Sequence, residues 1–523
     1  MNLTLTPIRF KQRAENYFGK KIGIVDGDVR LTYREFGQRA NQLSNALVRM
    51  GINRGERVAW LGYNSHELLE AYYGVVQMGA VLLPLNIRLT PAEIAFILND
   101  SESVAVFYNR DMQPIVDGVR NSVGVKHYVP LESKGDGNDY EALISAAAAD
   151  FTPPDIKDDD LAELFYTSGT TANPKGVMMT HRNLYMHALQ VIAGLGVDDT
   201  VVQLHTIPLF HVNGWGTPHT LACMGARHII VKKFDPTEVL ETIQKERVTN
   251  FAMVPTMANA IINHPSLGEY DLSSLDYVAI GGAAAPVDLI RLVEQKLGCR
   301  AYGGYGLTET VPVLTQSFIK DHLKDEPDED RWKRQAMAGF PMPGVEIDIF
   351  DPDDNPVPHD GVSVGEVVVR ADNVMAGYWK LPEETENVMR SGWFHTGDMA
   401  TVDEHGYFLI VDRKKDIIIS GGENIASIEV EKAVYSHPGV FECAVVAVPD
   451  DRWGEVPKAL VVVKPGESLS EQEIIDHCRT KLPGFKVPKS VEFFEALPKG
   501  GTGKILKKEL REKYWAGYEK RVH

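Results

Sequence analysis

The segment Tyr166-Thr-Ser-Gly-Thr-Thr-Ala-Asn-Pro-Lys-Gly176 gathers hydroxyls, glycines and one lysine into a stretch short enough for a single turn. Such a turn can hold a polyphosphate. Thr167, Ser168, Thr170 and Thr171 can donate to phosphate oxygens, Gly169 admits close approach of backbone N–H groups, and Lys175 supplies a compact positive charge. The spacing excludes a GxxxxGK[ST] loop: Pro174 stands where the second glycine belongs, and Gly176 where the hydroxyl after the lysine belongs. With no base close by in sequence, Ser168 reads as a phosphate donor rather than a nucleophile.

Four later segments extend the same chemistry. Gly281-Gly-Ala-Ala-Ala-Pro286 follows an apolar run ending at Ile280, and Gly282, Ala283 and Ala284 would let a flat ring lie against backbone; a plain tight turn is the competing reading. In Tyr302-Gly-Gly-Tyr-Gly-Leu-Thr-Glu309, Tyr305 between Gly304 and Gly306 could stack on a base, and Thr308 could bond a phosphate. Glu309 could hold Mg²⁺, with the Thr170 hydroxyl as a second oxygen ligand. Taken alone, a tyrosine of this kind usually packs a core. Asp398, closing Trp393-Phe-His-Thr-Gly-Asp398, suits two ribose hydroxyls, and Arg413 offers a planar donor fork; a surface ion pair would be the default for either. Pro498-Lys-Gly-Gly-Thr-Gly-Lys504 sets a lysine in a glycine-rich loop near the C-terminus. No carboxylate dyad, His–Cys nucleophile or metal-ligand cluster competes with this set.

Alternating helix and strand signals must position these residues. Thr32-x-x-Glu35 is a capping box, followed by Phe36, Ala40, Leu43, Leu47 and Met50 at helical spacing and by Gly51 as a stop. Strands are expected at residues 57–61, 104–108, 228–231, 250–254 and 277–280, with helices opening at Thr90 and spanning 236–247. The repeated βα pattern predicts a mainly parallel sheet covered by helices. Residues 345–350 and 365–370 predict a small antiparallel unit, and the charged run 321–335 a solvated surface insert. Beyond Asp412 the pattern becomes α+β. The fold is therefore expected to be α/β, with a large N-terminal domain over 1–412 and a small, separate α+β domain over 413–523, which the resemblance named below implies is mobile.

A chain of 523 residues implies about three or four compact units. A formal charge of −18 argues against nucleic acid or an anionic membrane as partner, because both need a basic face. Cys223, Cys299, Cys443 and Cys478 lie far apart and read as reduced thiols. The N-terminus carries no long apolar run, and the apolar stretch 71–85 is interrupted by Gln77 and Pro84 and too short to span a bilayer. A cytoplasmic protein is expected, with room for a homodimer.

In family order, these motifs resemble the adenylate-forming superfamily of acyl-CoA synthetases, peptide-synthetase adenylation domains and luciferases, whose signature reads YTSGTTGxPKG. The resemblance runs from Thr32 to Lys508, with departures at Ala172, Gly303 (commonly Gln) and Ile419 (commonly Lys). It implies that ATP and Mg²⁺ bind at the phosphate loop, Asp398 and Arg413 hold ribose, and Lys415 is a hinge. It also implies that Lys504 bridges substrate carboxylate and α-phosphate. Pro208-Leu-Phe-His-Val-Asn-Gly-Trp-Gly216 resembles the gate segment of long-chain fatty acyl-CoA synthetases, which puts His211, Val212 and Trp215 in the acid pocket. In Ser420-Gly-Gly-Glu-Asn424, Gly421 and Gly422 would line the path of the CoA pantetheine arm. The expected activity is conversion of a carboxylic acid, with a fatty acid first, to acyl-AMP and then acyl-CoA. An aryl or short thioether acid, or a carrier protein in place of CoA, is the alternative.

Overall fold

A computed structural model of the chain describes residues 3–132, 137–167, 173–421, 423–450, 452–499 and 505–515. Local signals set the first elements. Thr32 caps helix Tyr33–Arg49 and Thr90 caps Pro91–Asp100, each in a reciprocal box with the glutamate three residues on. A cap of this kind is worth about 1 kcal/mol. The apolar stripe of Tyr33–Arg49 (Phe36, Ala40, Leu43 and Leu47) then buries into the main core.

Two large sheets form the N-terminal domain. One has nine strands; its centre, Ile22–Asp26, Arg227–Ile230, Val202–His205, Asn250–Met253, Tyr277–Ile280 and Arg300–Gly306, is parallel throughout. The other has seven strands, with parallel members Ser103–Tyr108, Arg57–Leu61, Val81–Pro84 and Leu161–Thr167. Strand Lys175–Thr180 turns back antiparallel on Leu161–Thr167, so that Thr167 and Lys175 face each other where the hairpin ends. The expected antiparallel unit is a third, five-stranded sheet built on Glu346–Phe350, Gly365–Arg370, Trp393–Val402 and Phe408–Arg413.

The charged run 321–335 is not merely solvated. It forms helix Asp328–Gln335, whose Trp332 and Gln335 both donate to Glu294 at 2.9 and 2.6 Å. One face of the run therefore packs, while its acidic and basic side chains pair along the other.

The smaller C-terminal domain is a five-stranded sheet, with Val440–Asp450 and Gly454–Val463 as its long hairpin, beside helices Ser427–Tyr435, Glu471–Arg479 and Lys507–Trp515. It has its own core around Ile418, Val430, Val445, Val461 and Ile474. Among the described residues, no helix is long and apolar enough to cross a membrane.

Candidate active site

The parallel strands deliver their C-terminal ends to one cavity of about 1500 Å³. Register explains the convergence: Ile280 is level with Gly303, so the Gly281–Pro286 turn and the Gly304–Gly306 strand end emerge side by side. Thr167 and Lys175 from the hairpin, Gly282, Ala283 and Ala284 from that turn, and Gly304, Tyr305, Gly306, Thr308 and Glu309 all line the cavity. Asp398, Arg413 and Lys415 join them there, as do His211, Val212 and Trp215.

On one wall, strands hold the polar groups in place. Asp398 and Arg413 are cross-strand partners, with Arg413 Nε 3.3 Å from Asp398 Oδ1. The Tyr305 hydroxyl donates to Asp398 Oδ2 at 2.8 Å. Burial and then the Asp398 charge push the phenol well above its usual range, so Tyr305 stays neutral. Gly303 has a steric reason: a Cβ there would lie 2.4 Å from the Met337 carbonyl oxygen, so a glutamine could not stand on this backbone.

Lys175 Nζ lies 2.6 Å from Glu384 Oε2 and over the Tyr378 ring, and the Tyr378 hydroxyl donates to Glu309 Oε1 at 2.9 Å. Glu309 has one oxygen beyond that bond. A single carboxylate of this kind, facing a cavity with room for phosphates, fits Mg²⁺, which takes one or two carboxylates and shares the rest of its shell with phosphate and water. The described His/Cys/Asp/Glu cluster of metal-binding size, Asp26, His66 and Glu67, lies outside the cavity lining.

The opposite wall is a backbone anomaly. Val212, Asn213, Gly214, Trp215 and Gly216 all have positive φ (44, 41, 56, 64 and 80°), a short left-handed turn. Each non-glycine residue in it costs about 1–2 kcal/mol, and a β-branched Val212 is the least expected. The turn lays the Trp215 ring on the Gly281 backbone, where a Cβ would fall 2.9 Å from Trp215 Cη2.

The C-terminal domain completes the cavity with Lys432, Tyr435, Lys499 and Ile505. Lys499 and Ile505 pair across an antiparallel bridge, which brings together the two ends of the segment carrying Lys504. Beside Lys415, Arg511 Nη1 donates to the Lys415 carbonyl at 3.3 Å and pairs with Asp416. Ser168, Gly169, Thr170, Thr171, Gly422 and Lys504 lie outside the described residues. Gly421 does not line the cavity. Its φ of 61° and the Trp453 ring, 2.6 Å from where a Cβ would be, both require glycine.

Motif reading missed Glu384 and Tyr378, which engage Lys175 and Glu309, and the buried Glu163, which holds Asn213. A lone carboxylate inside Leu161-Ala-Glu-Leu-Phe-Tyr166 was the available signal.

With strand-end motifs, a two-domain cavity and a strained aromatic turn in place, the class follows. Residues 10–379 match the AMP-binding enzyme family and residues 429–504 the AMP-binding enzyme C-terminal domain. The chain belongs to this family, among its acid:CoA ligases. It is 38% identical over 515 residues to a long-chain-fatty-acid–CoA ligase of Thermus thermophilus, covering 97% of this chain and 95% of that one. To a feruloyl-CoA synthase of Amycolatopsis sp it is 40% identical over 498 residues, covering 93% and 95%. Among solved structures, the anthranilate CoA ligase AuaEII in complex with anthranoyl-AMP superposes with a TM-score of 0.90 at 27% identity, covering 98% of each chain. ATP-bound MatB from Rhodopseudomonas palustris gives 0.88 at 29%, covering 99% and 100%.

Proposed function

We propose that this enzyme joins a carboxylic acid with an apolar tail, a fatty acid first, to CoA in two steps within the one cavity. The reading rests above all on a single observation: the hairpin ends Thr167 and Lys175, the Gly282–Ala284 turn, the Tyr305–Asp398–Arg413 group and Trp215 share that cavity. The acid carboxylate attacks the α-phosphorus of ATP, the bond to the β-phosphate oxygen breaks, and pyrophosphate leaves. The CoA sulfur then attacks the acyl carbonyl, AMP leaves, and the thiol proton passes to solvent.

In this reading residues 167–175 grip the triphosphate, Tyr305 stacks on adenine, and Asp398 and Arg413 hold the ribose. His211, Val212 and Trp215 bound the acid. Glu309 and Thr170 would hold Mg²⁺, which supplies charge neutralisation at the phosphates. Two anions must meet, so catalysis is mainly positioning and electrostatic stabilisation, with Lys504 as the cation between them. Residues 413–523 then swing about Lys415, withdrawing Lys504 and presenting Gly421 and Gly422 to CoA. A cytoplasmic location accords with four buried free cysteines.

The feruloyl-CoA synthase and anthranilate CoA ligase likenesses, with Tyr277, Tyr302 and Phe251 in the cavity wall, support an aryl acid as the second reading. An acid-dependent ATP–pyrophosphate exchange screen over alkyl and aryl acids, followed by AMP release with free CoA or carrier protein, decides among them. A protein that exchanges pyrophosphate with none of these acids is not such a ligase.

A further inference from the structure

The segment bearing Trp215 is tethered at both ends by helix His66–Gly74 and its neighbour Asn64. Tyr72 donates to the Leu209 carbonyl at 2.7 Å, Tyr73 to the Pro218 carbonyl at 3.1 Å, and Asn64 Oδ1 accepts from Leu209 N–H at 2.7 Å. The middle is held from a different sheet. Asn213 Nδ2, fully buried at φ 41°, donates to Glu163 Oε2 at 2.8 Å. Glu163 is 0% exposed, and its other oxygen meets His219 Nε2 at 2.8 Å. The rings of Tyr72 and Tyr73 stand edge-on to that histidine.

We propose that Glu163 is a positioning residue for the acid pocket: its carboxylate, gripped by His219, fixes through Asn213 the left-handed turn that presents Trp215 to the cavity. The proposal rests on the reading of that wall as the acid site. Burying a carboxylate in the middle of an apolar strand is costly, and a leucine would pack there at less cost, so the charge needs a use other than stability. Positive φ at Val212, Asn213 and Trp215 persists only where the surroundings impose it, and Glu163 reaches the centre of that run. Tyr305, Asp398 and Arg413 stand on other strands with their own ladders, and Thr167, on the same strand as Glu163, is held by its pairing with Lys175. Loosening the tether should therefore move acid binding and leave ATP binding in place.

The test uses the full-length enzyme carrying Asn213→Gly or Glu163→Gln, with far-UV circular dichroism to confirm folding. Glycine accepts the backbone angle and deletes the amide, whereas glutamine can still accept from Asn213. In pyrophosphate exchange, Asn213→Gly is expected to raise the KM for acid about tenfold, the loss of one charge-assisted hydrogen bond, with the KM for ATP within about twofold. Glu163→Gln should show the same split at about threefold. Acrylamide quenching of Trp215, taken as the difference from Trp215→Phe in each background, should increase in Asn213→Gly. This readout needs no turnover, so an inactive wild type would sink the functional reading while the tether is still decided. Unchanged quenching, or acid and ATP KM values rising together, overturns the proposal.

Discussion

The two walls of the cavity are held by different physics. On the wall proposed for the nucleotide, Asp398 and Arg413 are register partners in one antiparallel ladder, and Tyr305 pairs with Thr315 in another, so backbone hydrogen bonds fix the geometry and side chains add to it. On the wall proposed for the acid, the positive φ of Val212, Asn213 and Trp215 sits between side-chain tethers from Tyr72, Tyr73 and Glu163. A ladder-built wall tolerates little variation in what it binds. A tethered turn can be re-aimed by changing one buried partner, and this suits relatives whose names span fatty, feruloyl and 4-hydroxybutyrate CoA ligases while sharing the AMP-binding fold.

The largest effect should come from the proposed bridging cation. Lys504→Ala is expected to lower acid-dependent pyrophosphate exchange on the order of 10²–10³-fold, as loss of a donor to developing charge does. Transfer from preformed acyl-AMP to CoA should largely survive if, as proposed, the C-terminal domain then presents its other face. Equal loss in both half-reactions would mean that the lysine holds the domain together and does not serve one step. Next in size is Asp398→Ala, which strips Tyr305 and Arg413 of their common acceptor. Removing bonds to a charged group costs about 2–3 kcal/mol, so kcat/KM for ATP should fall about 10²-fold. The KM for acid should move by less than about threefold if the walls are independent. A matching rise in the acid KM would show that the two walls act as one unit.

Local signals carried the nucleotide wall into the sequence. The hairpin residues Thr167 and Lys175 lie eight positions apart, the capping boxes at Thr32 and Thr90 form as spelled, and the Tyr277–Ile280 strand ends where its glycines begin. The acid wall was legible only as a list of residues. Asn213 finds Glu163 across 50 positions and Tyr72 finds Leu209 across 137, distances at which neither periodicity nor propensity carries information. The charged run 321–335 is largely exposed as expected, but its packed face was not legible for the same reason: Glu294, on a separate helix, supplies the partner for Trp332 and Gln335. Gly303 is similar, because its constraint is a carbonyl 34 residues away at Met337.

A smaller effect would sharpen the picture of the nucleotide wall. Lys175, the cation expected to meet phosphate, is paired with Glu384, whose side chain is 43% exposed. If Lys175 meets the phosphates as proposed, ATP displaces that carboxylate. A half-exposed pair is worth at most about 1 kcal/mol, so Glu384→Gln should lower the KM for ATP by about two- to fivefold. A higher KM would instead mean that Glu384 aims the lysine.

The smallest predicted change is in pH dependence, and it concerns Lys415. Withdrawal of the Lys415 ammonium from water, and then the neighbouring Arg413 charge, lower its pKa to about 8. Between about pH 8 and the ordinary value of 10.5 the unfolded chain binds more protons here than the folded one, so this group makes folding more favourable as pH rises through that window. Weaker ATP binding in the same window therefore cannot come from unfolding driven by Lys415. It should come from loss of positive charge beside the nucleotide. KM for ATP in pyrophosphate exchange is expected to rise about two- to threefold from pH 7 to pH 9 in the wild type, a fraction of a kcal/mol at such an open site. Lys415→Arg keeps its charge throughout and should flatten that rise. Superimposable profiles would place Lys415 outside the field of the phosphates and leave it only the proposed hinge role.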